Sequence, residues 1–431
     1  MVVNEKFYEN LGSYYSIPQE IYEKVNSKIF NDYKLTIKVI GVNLPQEELS
    51  VIYQIKCIEV HSADKNNELA RDIEKINSYL SDSGNHLGYK EVTDSWTLFY
   101  LIKEMITTFQ KQGFNYYRGQ NQDWETIPGI FRPMENEDGN KYFDRFESLY
   151  LDISREFPAS IRYIPLNKDC LEERADELSI LQHYGLPTSL LDISENPFIA
   201  MLFMLGFGEI NRPQLEFYKI DYDIHSSKSL VSFVHKNSSN KRIRAQKGAF
   251  INFDKLVSFV NFQKNEIKLD ESYIPIDRIV VQIEFDKEGS IQYLKQLHNQ
   301  SEVSDSTDNL SQESIANLLT LLETDNDSSI IESYYKYIKE ELLRKLKEFH
   351  YEAHNLYPDF ENYLTFKAKE FKFKEKSKEN RVELKYLQNS SETQDSYDFL
   401  KESTQNMSEK SNESNAISNS LFSRIINIFS K

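Results

Sequence analysis

The chain has 431 residues, of which 39% are hydrophobic and 28% charged, with 27 Tyr and 27 Phe: enough apolar material for two or three folding units of roughly 100–200 residues each, with some length left unfolded. Its 51 Lys and Arg stand against 68 Asp and Glu, a net charge of −17. That balance excludes a protein whose whole surface grips nucleic acid, since clustered cations drive such binding by releasing counterions. Two cysteines, Cys57 and Cys170, exclude a dense disulfide framework and point to a reducing, cytoplasmic setting. The first residues carry no basic region ahead of an apolar run, and no window reaches the ~20 apolar residues that span a bilayer, so neither export nor a membrane helix is expected.

In chain order, residues 1–90 read as a small α+β unit of unknown role. Two β-branched, partly alternating runs at 35–42 and 51–60 predict strands, and 69–80 predicts a helix. A second helix follows Thr93 or Asp94, with Trp96, Phe99, Ile102 and Ile106 at spacings of three and four. Phe114-Asn-Tyr-Tyr-Arg-Gly-Gln120 reads as a strand ending in a glycine turn. The helical pattern of 170–184 stops at Gly185, and Asn196-Pro197 opens the next helix. Strands are expected at 215–220 and 279–285, and Tyr335, Ile338, Leu342, Leu346 and Phe349 give a long helix one apolar face.

Two segments differ in composition. Residues 298–330 hold seven acids and no Lys or Arg, and 388–420 hold six acids and two lysines, both in a Ser/Asn-rich background. Such stretches bury too little apolar surface to offset the entropy of ordering, so both are expected as low-complexity segments, with a short helix possible at 315–322. Residues 366–387 read as helix or linker. The last eleven, 421–431, form a short amphipathic, basic helix suited to a protein partner, a membrane surface or the chain's own core.

The chemistry-bearing residues cluster beside glycines and prolines. Arg118 follows three aromatics and precedes Gly119-Gln120, so a guanidinium is projected from a strand end where the backbone lacks bulk. Arginine binds phosphate or carboxylate through two parallel hydrogen bonds, which makes Arg118 an anion anchor; the alternative is a structural ion pair with Asp192. Residues 182–197 pack His183, Tyr184, Thr188, Ser189, Asp192 and Asn196 into what reads as one helix–turn–helix passage, either a binding loop or a set of helix caps.

These residues carry a resemblance. Tyr117-Arg-Gly-Gln120, Ile127-Pro-Gly-Ile-Phe-Arg132, Gln182-His-Tyr-Gly-Leu-Pro-Thr188, Leu190-Leu-Asp192, Asn196-Pro197 with Ala200 and Phe203, Ala245-Gln246-x-Gly248-x-Phe250 and Leu356-Tyr-Pro-Asp359 resemble, in order, the motifs of the FRG domain family over residues 93–365. The chain departs at Ser189 and Ile193, where the family usually has Arg and Trp. The resemblance implies a bacterial or phage-linked protein of defence or toxin-like settings. Its outline is also similar to ADP-ribosyltransferases, which implies NAD or another nucleotide as ligand. The Glu those enzymes use is missing from Gln246-Lys247-Gly248, leaving Glu195 and Glu284 as substitutes.

The expectation is an α+β protein: a mixed α/β central FRG-type domain, a small N-terminal unit and a disordered C-terminal tail. A polar cleft of Arg118, Gly119, Gln120, Arg132, Tyr184, Thr188 and Gln246 would bind an anionic nucleotide-like small molecule, with His183 moving a proton and Asp192 orienting Arg118 or His183. The competing reading is a non-enzymatic sensor or interaction module in which the same cluster braces the fold. A third is a metal-dependent nuclease built on Asp359, Glu383 and Lys385. His350 and His354 lack the adjacent Glu of a zinc protease, and no metal site is expected.

Overall fold

The computed structural model describes residues 22, 25–43, 52–61, 67–86, 97–132, 134, 142–206, 208–233, 248–263, 266–303, 309–324, 329–353, 364 and 367–368. The strands among them are β1 (Phe30–Gly41), β2 (Tyr53–Val60), β3 (Tyr116–Gln120), β4 (Leu190–Ser194), β5 (Gln214–Lys219), β6 (Val231–Ser232), β7 (Gly248–Asn252), β8 (Val260–Gln263), β9 (Glu266–Leu269) and β10 (Ile276–Phe285). The helices are α1 (Asn67–His86), α2 (Thr97–Lys111), α3 (Tyr142–Glu156), α4 (Leu171–His183), α5 (Pro197–Leu205), α6 (Tyr222–Lys228), α7 (Leu256–Phe259), α8 (Lys287–Val303), α9 (Asn309–Thr324) and α10 (Ser329–Glu348). None of these helices is long and apolar enough to cross a membrane.

Eight strands form one mixed sheet in the order β2-β1-β10-β5-β3-β4-β7-β6, and β8 pairs with β9 in a separate hairpin. The chain is therefore α+β, as its sequence leads one to expect. Strands β1 and β2, which the sequence assigns to a unit of residues 1–90, are the edge of this sheet. β1 pairs in parallel with β10 from Phe30↔Ile276 to Val39↔Phe285. Alternation explains why a β-branched run such as Leu35, Ile37 and Val39 belongs here: every second side chain enters one core.

Each sheet face carries its own core. Tyr117, Leu215, Phe217, Ile279 and Val281 pack with residues of α2, α5 and α10, while Tyr116, Tyr218, Ile276 and Phe250 pack with residues of α3 and α4 on the other side. In the second core Arg174, fully buried, is held by Glu147 and by Asp254 at 2.7 Å. Removing one partner of such a group strands a buried charge, so α3, α4 and the turn at Asp254 are tied together at a cost of about 3–5 kcal/mol if broken.

Two sequence expectations need correction. Residues 182–197 are not helix–turn–helix: between α4 and α5 the chain runs as β4, paired antiparallel with β7 from Leu190↔Asn252 to Ser194↔Gly248. Leu190, Leu191 and Ile193 are all buried, a strand covered on both faces, which leaves no alternation to read. Much of the acidic segment at 298–330 is helical: α8 extends to Val303, and α9 buries Leu318 and Leu322, one helical turn apart. Residues 388–420 and 421–431 lie outside the described residues.

Candidate functional site

Helix α5 crosses directly over β3. A Cβ on Gly119 would stand 1.9 Å from the Ala200 carbonyl oxygen and 2.4 Å from the Met204 nitrogen, so only glycine lets the helix sit there. α5 starts where the sequence places it, with the Asn196 side chain accepting from the Phe198 amide at 3.0 Å and Pro197 in the first turn. Where helix and strand meet, the end of β3 opens into a pocket of about 210 Å³. Arg118, Gly119, Gln120, Arg132 and Asp192 line it, together with Trp124, Phe203 and Phe250.

Arg118 is anchored without being neutralised. Its Nη1 donates to the Asp192 backbone carbonyl at 2.9 Å, and its buried Nε–H has no partner among the described residues. Among the described residues neither Arg118 nor Arg132 forms an ion pair, so the expected alternative of a structural Arg118–Asp192 bridge is replaced by a backbone contact. Partial burial, and then the neighbouring Arg118 charge, pull the Arg132 guanidinium below its usual pKa, although one side of it is open to solvent. Two cations held near one another, with no acid bonded to either among the described residues, form a site that an oxyanion would stabilise.

Arg132 owes its place to the turn that ends at Thr188. Gly129, Ile130 and Phe131 form a 3-10 turn; the Ile130 amide donates to the Thr188 carbonyl at 3.1 Å, and a Cβ on Gly129 would lie 2.8 Å from the Pro187 Cβ. Tyr142 fixes the same turn by donating to the Pro187 carbonyl at 2.7 Å. The Thr188 hydroxyl is used internally: it donates to Gln182 and accepts from the Leu190 amide at 3.1 Å. Thr188 is fully buried, and neither it, His183 nor Tyr184 lines the pocket. His183 ends α4 with its ring edge-on to Tyr184 at 4.9 Å, and Tyr184 is 68% exposed. The structure thus brings Arg118, Gly119, Gln120, Arg132 and Asp192 together and leaves the His183–Thr188 group outside as a support. Gln246 lies outside the described residues.

Gln120 faces two ways. It is 5% exposed, and its Nε2 points inward to the Trp124 carbonyl at 3.2 Å, the Thr126 hydroxyl at 3.3 Å and Glu216 Oε1 at 3.3 Å. Those neighbours accept from the amide nitrogen, which leaves Gln120 Oε1 buried without a donor among the described residues. Glu216, fully buried, sits directly opposite Arg118 in the β3–β5 register and accepts from Thr126 and Tyr218 as well. This buried carboxylate, which holds Gln120 from behind the pocket lining, was not legible in the sequence, because a Glu within Leu215-Glu-Phe-Tyr-Lys219 reads as the solvent face of a strand. Trp124 was missed too; its signal was a rare large aromatic four residues after Gln120.

The substitute acids stand elsewhere. Glu195 accepts from the Tyr116 hydroxyl at 3.2 Å, and Glu284 pairs with Lys38 at 3.0 Å and Arg212 at 3.2 Å; neither lines the pocket. His354, Asp359, Glu383 and Lys385 lie outside the described residues. Among the described residues no group of three or more His, Cys, Asp or Glu side chains is placed to hold a metal ion.

The fold and pocket define an α+β protein with an arginine-lined cleft at the end of a central strand. Residues 114–209 match the family model described as the FRG domain, and the chain carries an FRG domain there. That span contains Arg118, Arg132, Asp192, Ala200 and Phe203; the resembling runs at 245–250 and 356–359 fall beyond it. No curated protein and no solved structure matches the chain.

Proposed function

We propose that the cleft at the end of β3 binds an anionic, nucleotide-like ligand, with Arg118 and Arg132 taking its phosphate. The observation that carries this reading is the pair of guanidiniums lining one pocket with no acid bonded to either among the described residues. Bringing two like charges together costs energy in the empty state, and an oxyanion between them returns it. Among the described residues Asp192 is the one carboxylate that lines the pocket, and His183 stands outside it. The described residues therefore favour binding over proton-transfer catalysis. The resemblance to FRG proteins and to ADP-ribosyltransferases makes NAD the first ligand to try, and a cytoplasmic, NAD-consuming effector of bacterial defence the finer form of the reading.

Calorimetric titration with NAD, ADP and ATP tests it. Saturable binding that falls at least about tenfold in Arg118→Ala, with the melting temperature kept, is the expected result. Binding unchanged in Arg118→Ala, or lost only in step with unfolding, leaves the polar cluster as a brace for an interaction module.

A further inference from the structure

The pocket contains more than cations, and what else it contains narrows the ligand. Its volume of about 210 Å³ is below the ~300 Å³ at which sites for whole small ligands begin. It can enclose a phosphate and a sugar but not a base as well. Trp124 lines it while remaining 49% exposed. Among the described residues its indole has no ring partner and no cation over it, so an aromatic face stands open where the pocket meets solvent. Its backbone, by contrast, is fixed: the carbonyl accepts from Gln120 at 3.2 Å and the amide donates to Gln122 at 2.9 Å. An open aromatic on a fixed backbone is a stacking platform.

The third feature is Gln120 Oε1. It is a buried acceptor with no donor among the described residues, in a residue that lines the pocket and whose amide nitrogen is already surrounded by acceptors. A phosphate dianion has no proton to give it; a sugar hydroxyl has. The orphaned donor on Arg118 Nε and the orphaned acceptor on Gln120, two residues apart on one strand and so on one face, ask for a ligand with an anion beside a hydroxyl.

We infer that the site reads a ribonucleoside phosphate in three parts: phosphate on Arg118 and Arg132, a ribose hydroxyl on Gln120 Oε1, and the base outside the enclosed volume, stacked on Trp124. This rests on the anion reading of the same pocket and adds to it a base and a hydroxyl that the arginines alone do not require.

The test titrates the full chain with AMP, 2′-deoxy-AMP, 3′-deoxy-AMP, ribose 5-phosphate and inorganic phosphate. AMP is expected to bind about tenfold or more tightly than ribose 5-phosphate, and one of the two deoxy analogues to lose about tenfold against AMP. Trp124→Ala should abolish the advantage of AMP over ribose 5-phosphate without weakening ribose 5-phosphate itself, and Trp124→Phe should restore it. Equal affinity of AMP and ribose 5-phosphate in the unaltered protein, or an advantage that survives Trp124→Ala, overturns the stacking role. Both deoxy analogues binding as AMP does overturns the hydroxyl role. In either case phosphate-dependent binding lost in Arg118→Ala leaves the anion reading standing. Failure of all five to bind removes both.

Discussion

Arg118 reaches the backbone carbonyl of Asp192, at 2.9 Å, and not its carboxylate. The carbonyl fixes one arm of the guanidinium and, among the described residues, no carboxylate is bonded to it, which leaves it able to take an anion. The Asp192 side chain lines the pocket but is exposed, so solvent and salt screen its repulsion of a bound anion. Asp192→Asn keeps the backbone contact and removes the repulsion. It is expected to leave stability unchanged and to raise affinity for a nucleotide by up to about fivefold, an advantage that fades as salt is added. A tenfold fall in affinity instead would show that the carboxylate itself touches the ligand.

Arg132 is held where its charge is disfavoured. Burial and the Arg118 guanidinium both lower its pKa, so the folded protein at neutral pH carries an unfavourable interaction that the unfolded chain does not. Arg132→Gln should therefore melt at the same temperature as the unaltered protein or higher, while nucleotide affinity drops at least about tenfold. Thermal melts with and without ligand separate the two effects. A clear loss of thermal stability would mean that Arg132 braces the fold.

How much of this the sequence revealed depended on whether neighbouring residues decided the outcome. Asn196-Pro197 opens α5 and Gly185, at a φ of 94°, follows the end of α4 because capping is settled within a few residues. Arg118 and Arg132 were expected in one cleft from the resembling motifs that contain them, and one pocket is lined by both. Distant packing was not legible. The Thr188 hydroxyl looks like a ligand group until Gln182 and the Leu190 amide are seen to occupy it. β4 hides because burial on both faces erases its period, and the edge position of β1 and β2 depends on β10, some 240 residues away.

Gly119 makes the closest approach of the site. A side chain there would meet two backbone atoms of α5, the Ala200 oxygen and the Met204 nitrogen, neither of which can rotate away. Gly119→Ala must push α5 off β3 and open the first core. The expected loss is about 3 kcal/mol or more, read as a lower urea midpoint, together with loss of nucleotide binding. An alanine variant with an unchanged midpoint would show that the helix does not lie where it is described.

Lys339 links pH to the loop behind the pocket. From α10 its Nζ donates to the Gly206 carbonyl at 2.9 Å and to the Gly208 carbonyl, just past the end of α5. The same loop joins the pocket wall, the Asn211 amide donating to the Asn121 carbonyl at 3.0 Å. Burial pushes the Lys339 pKa down to about 8, against the opposing pull of Glu340 and Glu209. The unfolded chain holds this proton to about pH 10.5 and the folded chain only to about 8. Between those values the unfolded state binds more protons, so stability contributed by this group rises with pH across that window and is flat below it. Lys339→Met loses the contacts to both carbonyls and, with them, this pH dependence. Urea midpoints of the two proteins at pH 7 and pH 9.5 are expected to diverge, the unaltered protein gaining on the variant by about 1–2 kcal/mol at the higher pH once solvent screening is allowed for. A difference that stays constant between the two pH values would show that Lys339 keeps its proton throughout.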